Sequence, residues 1–279
     1  MSTTVFLAVL AAAAMHASWN ALLKVQGDRF IAVLLISFGM GVAALPLLPF
    51  VTAPQGSTWA WLAASICLQT GYKYFLTKAY ETGDFAVAYP LARGTAPLLT
   101  TLGSAILLGE APGMVTVLGI VLLSAGVVVM SLRRPGEAFG GRSILFALVT
   151  SGFIAAYTLT DGVGARSAHD GVSYVIWLFV VDGVISLGLC VCLRGARILP
   201  VMEREWRTML GGGFLGAAAY GISVWAMTKA PIAAVAALRE TSILFAMILS
   251  VFLLGETVGR RRVIAGLVIV AGVLALRLG

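Results

Sequence analysis

The sequence predicts an all-α membrane protein of ten transmembrane helices arranged as two inverted five-helix repeats. Three observations carry this: an unusually apolar composition, a regular spacing of apolar runs, and an internal repeat. Of 279 residues, 60% are hydrophobic and only 11% are charged, with a mean hydropathy of +1.00. A soluble domain carries roughly a quarter charged residues, so most of this surface faces something other than water. A bilayer core takes about 20 apolar residues per helix, which lets this chain supply roughly ten spans. Little is left over for a separate soluble domain.

Breaking the apolar runs at charged, Pro and Gly clusters gives helices at 3–24, 30–51, 58–79, 84–108, 113–132, 142–164, 171–193, 208–228, 231–254 and 262–278. They must be helices, because hydrocarbon cannot satisfy an open strand edge. The dyad alternation of a membrane barrel is absent. The run Val5–Met15 resembles a signal peptide but lacks a basic flank, and it is read as a retained first helix.

The repeat shows as Leu107-Leu108-Gly109-Glu110 recurring at Leu253-Leu254-Gly255-Glu256, an offset of 146. The same offset pairs Arg93 with Arg239, Thr95 with Thr241 and Ser104 with Ser250. Nearer the start, an offset of 138 pairs Leu10 with Leu148 and Trp19 with Tyr157. The halves are 1–134 and 142–279, joined by a linker at 135–141. An odd number of helices per half means that the second enters the membrane from the opposite side. Such inverted repeats suit alternating access around a site near the midplane.

The Pro-x-x-x-apolar-Leu-Leu-Gly-Glu ending that starts at Pro97, its copy before Glu256, and the Gly-rich fifth and tenth helices resemble the drug/metabolite transporter superfamily, EamA type. The likeness spans essentially the whole chain. It implies a secondary transporter of the bacterial inner membrane, in a group with many exporters of amino acids or related metabolites. It also implies a central cavity lined by the first, third, fourth, sixth, eighth and ninth helices.

The formal charge of +7 does not indicate nucleic acid, since the basic residues lie in short runs between apolar segments. Lys24, Arg29, Lys78, Arg133, Arg134, Arg194, Arg197 and Arg260–Arg262 fall in alternate loops, whereas the other loops and the termini hold Arg166, Lys229 and Arg277. The positive-inside rule then places both termini outside. The resemblance implies cytoplasmic termini instead, and the charge distribution outweighs it. Cys67, Cys190 and Cys192 lie in apolar stretches with no metal spacing and read as buried hydrophobes.

A charge at the bilayer centre costs several kcal/mol (roughly 2.5–3.5), so ionisable residues deep in a span are functional candidates. Arg93 and Arg239 each lie about nine residues into a helix, roughly 13 Å deep, and are repeat mates. They are assigned to bind a carboxylate or phosphoryl group in forked geometry. The alternative is a structural pairing with a carbonyl or carboxylate, with Glu240 and Asp182 in reach of Arg239. Glu240 and Asp161 are the candidates for proton coupling, Glu240 having a structural partnership as its alternative and Asp161 a capping role near a loop.

His16, Trp19 and Asn20 share one face at i, i+3 and i+4, as a cavity lining or as interhelical glue. Gln69, Tyr72 and Lys73 repeat the pattern, with Lys73 either in the cavity or snorkelling to the interface. Tyr89, one turn from Arg93, and Tyr157, in the series Phe153, Tyr157 and Asp161, complete the candidate wall. Trp177 and Trp225 read as interfacial anchors, and Tyr220 as a further aromatic candidate. Glu110 and Glu256 are expected to cap the fifth and tenth helices, and Gly119, Gly126, Gly266 and Gly272 to permit close packing.

His16 and His169 stand far apart, with no HExxH, Walker loop or carboxylate pair, which argues against a metalloprotease or an ATP-driven pump. No cofactor is expected. The partners expected are a small-molecule substrate and the lipid bilayer, with no nucleic acid, the protein acting as a monomer or homodimer. The sequence therefore points to a carrier of a small anionic or zwitterionic metabolite. The alternatives are a lipid flippase or head-group enzyme in the membrane, and a small-solute channel.

Overall fold

The computed structural model describes residues 1–23, 29–82, 85–131, 141–254 and 259–279. Among these, regular structure is entirely helical. The α-helices are α1 (Thr3–Leu23), α2 (Arg29–Ala44), α3 (Thr58–Thr82), α4 (Phe85–Leu108), α5 (Met114–Ser131), α6 (Gly141–Ser167), α7 (Gly171–Arg194), α8 (Ile198–Met227), α9 (Ile232–Arg239), α10 (Ser242–Leu254) and α11 (Arg260–Leu278). Short 3-10 turns follow α2 at Leu45–Phe50 and α7 at Gly195–Arg197.

The bundle is inside-out relative to a soluble protein. Ile106, Leu107 and Phe252 are 70%, 73% and 82% exposed, whereas Lys73, Arg93, Asp161, Asp182, Arg239 and Glu240 are all buried. That distribution is stable where the surrounding medium is hydrocarbon and the polar groups find one another inside. By length and apolarity, six stretches qualify as spans among the described residues, one of them covering both α7 and α8. The ten expected spans are not all recovered on that measure. α3 carries Lys73, Lys78 and Glu81, and α11 carries four arginines, which dilutes their apolar character.

Contacts between helices follow the repeat. α2 packs on α7 and α5 on α11, each helix against its counterpart, while α1 on α8 mirrors α6 on α3. At the centre of the α5–α11 contact, a Cβ added to Gly119 would lie 2.9 Å from the Gly272 oxygen, and one added to Gly272 would lie 2.8 Å from the Gly119 oxygen. This reciprocity is what a pseudo-two-fold axis produces, and only glycine allows backbones so close.

Three helices and one helix cap differ from the sequence-based expectation in ways that bear on the site. The helix expected over 231–254 is broken at Glu240–Thr241. There, the amides of Thr241 and Ile243 bond three residues back, to Leu238 and Glu240, and the Thr241 hydroxyl donates to the Leu238 carbonyl at 2.7 Å. A hydroxyl competing for a helix carbonyl loosens the turn. The helix expected over 30–51 ends at Ala44 and continues as the 3-10 turn, where Pro46 and Pro49 remove amide donors. α8 begins ten residues earlier than expected, its first turns carrying exposed Glu203, Arg204 and Arg207. Finally, Glu110 serves a different helix end from the one expected. Its Oε2 accepts from the Ile232 amide that opens α9, at 3.4 Å, and among the described residues from no amide of α5. Glu256 lies outside the described residues.

Candidate functional site

The unbroken α4 carries Arg93 into the bundle, and the break after α9 turns Glu240 towards it. Arg93 Nε donates to Glu240 Oε2 at 2.9 Å, with both side chains almost wholly buried. The two groups come from opposite repeats. At the 146-residue offset, Glu240 falls on Gly94, where a Cβ would lie 2.7 Å from Val128 Cγ2 of α5. The first repeat thus keeps glycine for packing where the second places an acid, so the paired arginines are not equivalent.

Arg239 has a different environment. Its Cζ lies 4.9 Å from the centre of the Tyr220 ring, and among the described residues it forms no ion pair or hydrogen bond. A guanidinium over an aromatic face gains about 0.5–2 kcal/mol, less than the cost of burying a charge without a counter-ion. The hydroxyl of the same tyrosine donates to Asp161. Asp161, in α6, is fully buried and also accepts from Tyr174 Oη at 2.9 Å and from Gln69 Nε2 at 3.4 Å. It is therefore a satisfied interior carboxyl, not a cap near a loop.

Lys73 does not snorkel. Its Nζ lies 2.8 Å from both Asp182 carboxylate oxygens and 3.1 Å from Ser186 Oγ, joining α3 to α7. Asp182, expected within reach of Arg239, is engaged here instead. The pair crosses the boundary between repeats, as Arg93–Glu240 does.

The aromatic wall forms in part. Tyr157 packs edge-on against Tyr72 at 5.6 Å and Tyr220 at 6.1 Å, one turn of α6 before Asp161. Phe153 stacks on Phe75 at 5.2 Å and so belongs to the α3–α6 contact. On α1, the three predicted polar residues hold one another: Trp19 Nε1 donates to His16 Nδ1 at 3.3 Å and Asn20 Nδ2 to the His16 carbonyl at 3.0 Å. Trp177 donates to the Thr52 carbonyl at 3.1 Å beside Trp59, where an interfacial anchor belongs. The side chain of Tyr89 lies outside the described residues.

Arg166, read from sequence as a sparse loop charge, closes the end of the bundle that carries the termini. From the last turn of α6 it donates to the Met227 and Ala230 carbonyls at 2.7 and 2.9 Å and pairs with Glu110 of the first repeat. Tyr174, Ser186 and Arg166 were not singled out as site residues because their roles depend on partners 13 to 113 residues away. The aromatic-plus-acid spacing of Tyr157 and Asp161 was the available signal. An apolar groove of about 340 Å³ between α4 and α5, lined by Leu98, Leu102, Pro112 and Val121 among others, faces outward and away from these charges.

Comparison with known proteins agrees with this architecture. A solved crystal structure superimposes with a TM-score of 0.78 over 100% of this chain and 98% of its own, at 21% identity, which speaks to the fold alone. A comparison with curated proteins returns no match. The profile of the EamA-like transporter family matches twice, over residues 3–132 and 141–278. With two such repeats across nearly the whole length and an apolar, multi-pass helical bundle, the chain belongs to the EamA-like transporter family.

Proposed function

We propose that the protein is a ten-span secondary carrier, an exporter, of a small anionic or zwitterionic metabolite such as an amino acid. Its halves, 1–134 and 142–279 about the linker 135–141, would alternate access to the centre, with proton coupling through Glu240 and Asp161. The observation that carries this reading is Arg239. It is a buried cation resting on Tyr220, with no acid paired to it among the described residues. A substrate carboxylate supplies the missing anion, and the forked guanidinium suits it.

Arg93 serves the same carboxylate when Glu240 releases it. Tyr72, Tyr89 and Tyr157 wall the substrate, and Trp19, His16, Asn20, Gln69 and Lys73 set its polarity. Asp161 and Glu240 are the acids available to an ammonium group, which favours a zwitterion over a simple anion. Arg277 Nη1 donates to the Met1 carbonyl at 2.7 Å, so the termini share one face, which supports an even number of crossings. In this reading that face lies outside a bacterial inner membrane, which the charge asymmetry supports. The working unit, a monomer or homodimer, needs the bilayer and its solute, and neither a cofactor nor nucleic acid.

Counterflow in proteoliposomes loaded with unlabelled amino acids and carboxylates tests the reading. A carrier accumulates the matching labelled solute transiently above its outside concentration. Simple equilibration would indicate a channel, and no solute movement across the panel would contradict carrier function for these classes.

A further inference from the structure

Tyr220 touches both groups that the carrier reading depends on. Its hydroxyl donates to Asp161 Oδ2, and its ring centre lies 4.9 Å from Arg239 Cζ. The ring is held from the sides by Tyr157 at 6.1 Å and Phe179 at 6.2 Å. From this geometry we infer that Tyr220 is a positioning residue, linking the proton on Asp161 to the readiness of Arg239 to take a substrate carboxylate. This rests on the carrier reading and extends it with a residue that does the coupling.

The link works through one rigid side chain. With Asp161 ionised, its Oδ2 accepts the Tyr220 hydroxyl and the phenol is pinned, its face presented to the guanidinium. When Asp161 takes a proton from solution, it loses much of its strength as an acceptor, and the phenol keeps its own proton but is no longer anchored. The guanidinium then loses a fixed platform and is released to move with its ligand. The proton leaves Asp161 by the reverse step, and no proton is taken from Tyr220.

Other charged and titratable groups surround Asp161. From α3 come Ser65 and Gln69, the latter donating to Asp161, and Lys73, which is held by Asp182 of α7. α7 also contributes Tyr174, a second hydroxyl donor. On α4, Arg93 is engaged by Glu240. Within α6, Tyr157 lies one turn away, and from α9 Arg239 rests on the Tyr220 ring. Of these, Tyr220 is the side chain that contacts both Asp161 and Arg239 directly.

Two substitutions separate the hydroxyl from the ring in the full-length protein in nanodiscs. The readouts are the pH profile of the melting temperature and the shift produced by benzoate, a carboxylate probe. Tyr220→Phe should make the response to benzoate independent of pH, because its ring is anchored through Asp161 in neither protonation state, and should move the midpoint of the pH profile by roughly one pH unit, the worth of a hydrogen bond to a charged group. Asp161→Asn should flatten that midpoint. Tyr220→Leu should weaken benzoate binding roughly fivefold through loss of the cation–π platform.

A Tyr220→Phe profile that overlays the wild type overturns the link, and so does a Tyr220→Leu protein with unchanged benzoate response. The Phe variant alone decides the hydroxyl where the Leu variant gives no folded protein. If wild-type protein ignores benzoate at every pH, the carboxylate role of Arg239 falls and the link falls with it. That outcome is distinct from a wild-type response that Tyr220 does not control.

Discussion

Glu240 turns away from Arg239, its neighbour in the chain, and closes on Arg93 of the other repeat at 2.9 Å. Two arginines related by the repeat thereby acquire different chemistry. One is neutralised inside the protein, and the other is left to an aromatic ring. The asymmetry begins at a single position, where glycine in the first repeat corresponds to glutamate in the second, and it is reinforced by the helix break that follows.

Removing the acid alone should therefore be costly. Glu240→Gln leaves Arg93 buried without its anion and is expected to destabilise the protein by about 3–5 kcal/mol, read as unfolding in denaturant or SDS titration. Arg93→Gln combined with Glu240→Gln should recover most of that loss, since neither charge then remains. A silent Glu240→Gln would show that the pair does not contribute to the fold.

The same logic applies to Lys73 and Asp182, which meet at 2.8 Å between α3 and α7. Lys73→Met should lower the melting temperature sharply, and Lys73→Met with Asp182→Leu should restore much of it, because an apolar pair of similar volume avoids desolvating two ions. Equal losses from the single and double variants would show that the pair is not what holds α3 to α7.

Much of this arrangement was legible in the sequence, and the reasons for what was not are specific. The apolar content and the repeated Leu-Leu-Gly-Glu reveal the helical repeats and mark Arg93 and Arg239, since both signals are local. The Lys73–Asp182 pair spans 109 residues and the Arg93–Glu240 pair 147, and no local pattern encodes such meetings. The break at Thr241 was hidden because Ala, Leu and Ile on either side keep the run apolar and helix-compatible. Arg166 was read as a loop charge because α6 continues one turn beyond its apolar stretch.

Packing at the pseudo-two-fold axis gives a further prediction. Gly272→Leu would drive a side chain into the backbone of α5, where even a Cβ would lie 2.8 Å from the Gly119 oxygen. Overpacking of this kind is expected to cost about 1–3 kcal/mol. Thermal unfolding in detergent measures it. Wild-type stability in that variant would mean that α5 and α11 do not meet at these glycines.

Proton coupling can be separated from binding. Asp161→Asn should weaken exchange of labelled for unlabelled solute but leave it measurable, while abolishing accumulation driven by a pH gradient, because a side chain that cannot take up a proton cannot transmit the gradient. Glu240→Gln is expected to act the same way in whatever fraction folds. Gradient-driven uptake that persists in both variants would remove these acids from the coupling path.

The most direct test of the central claim is counterflow with Arg239→Gln, run beside wild type on the carboxylate or amino acid that the wild-type protein exchanges. A charge-assisted contact contributes about 1.5–3 kcal/mol, so exchange at subsaturating solute is predicted to fall roughly ten- to a hundredfold in protein that inserts and melts like the wild type. Undiminished exchange would contradict the carrier reading, since it would mean that the buried Arg239 guanidinium, which has no acid partner among the described residues, does not hold the substrate.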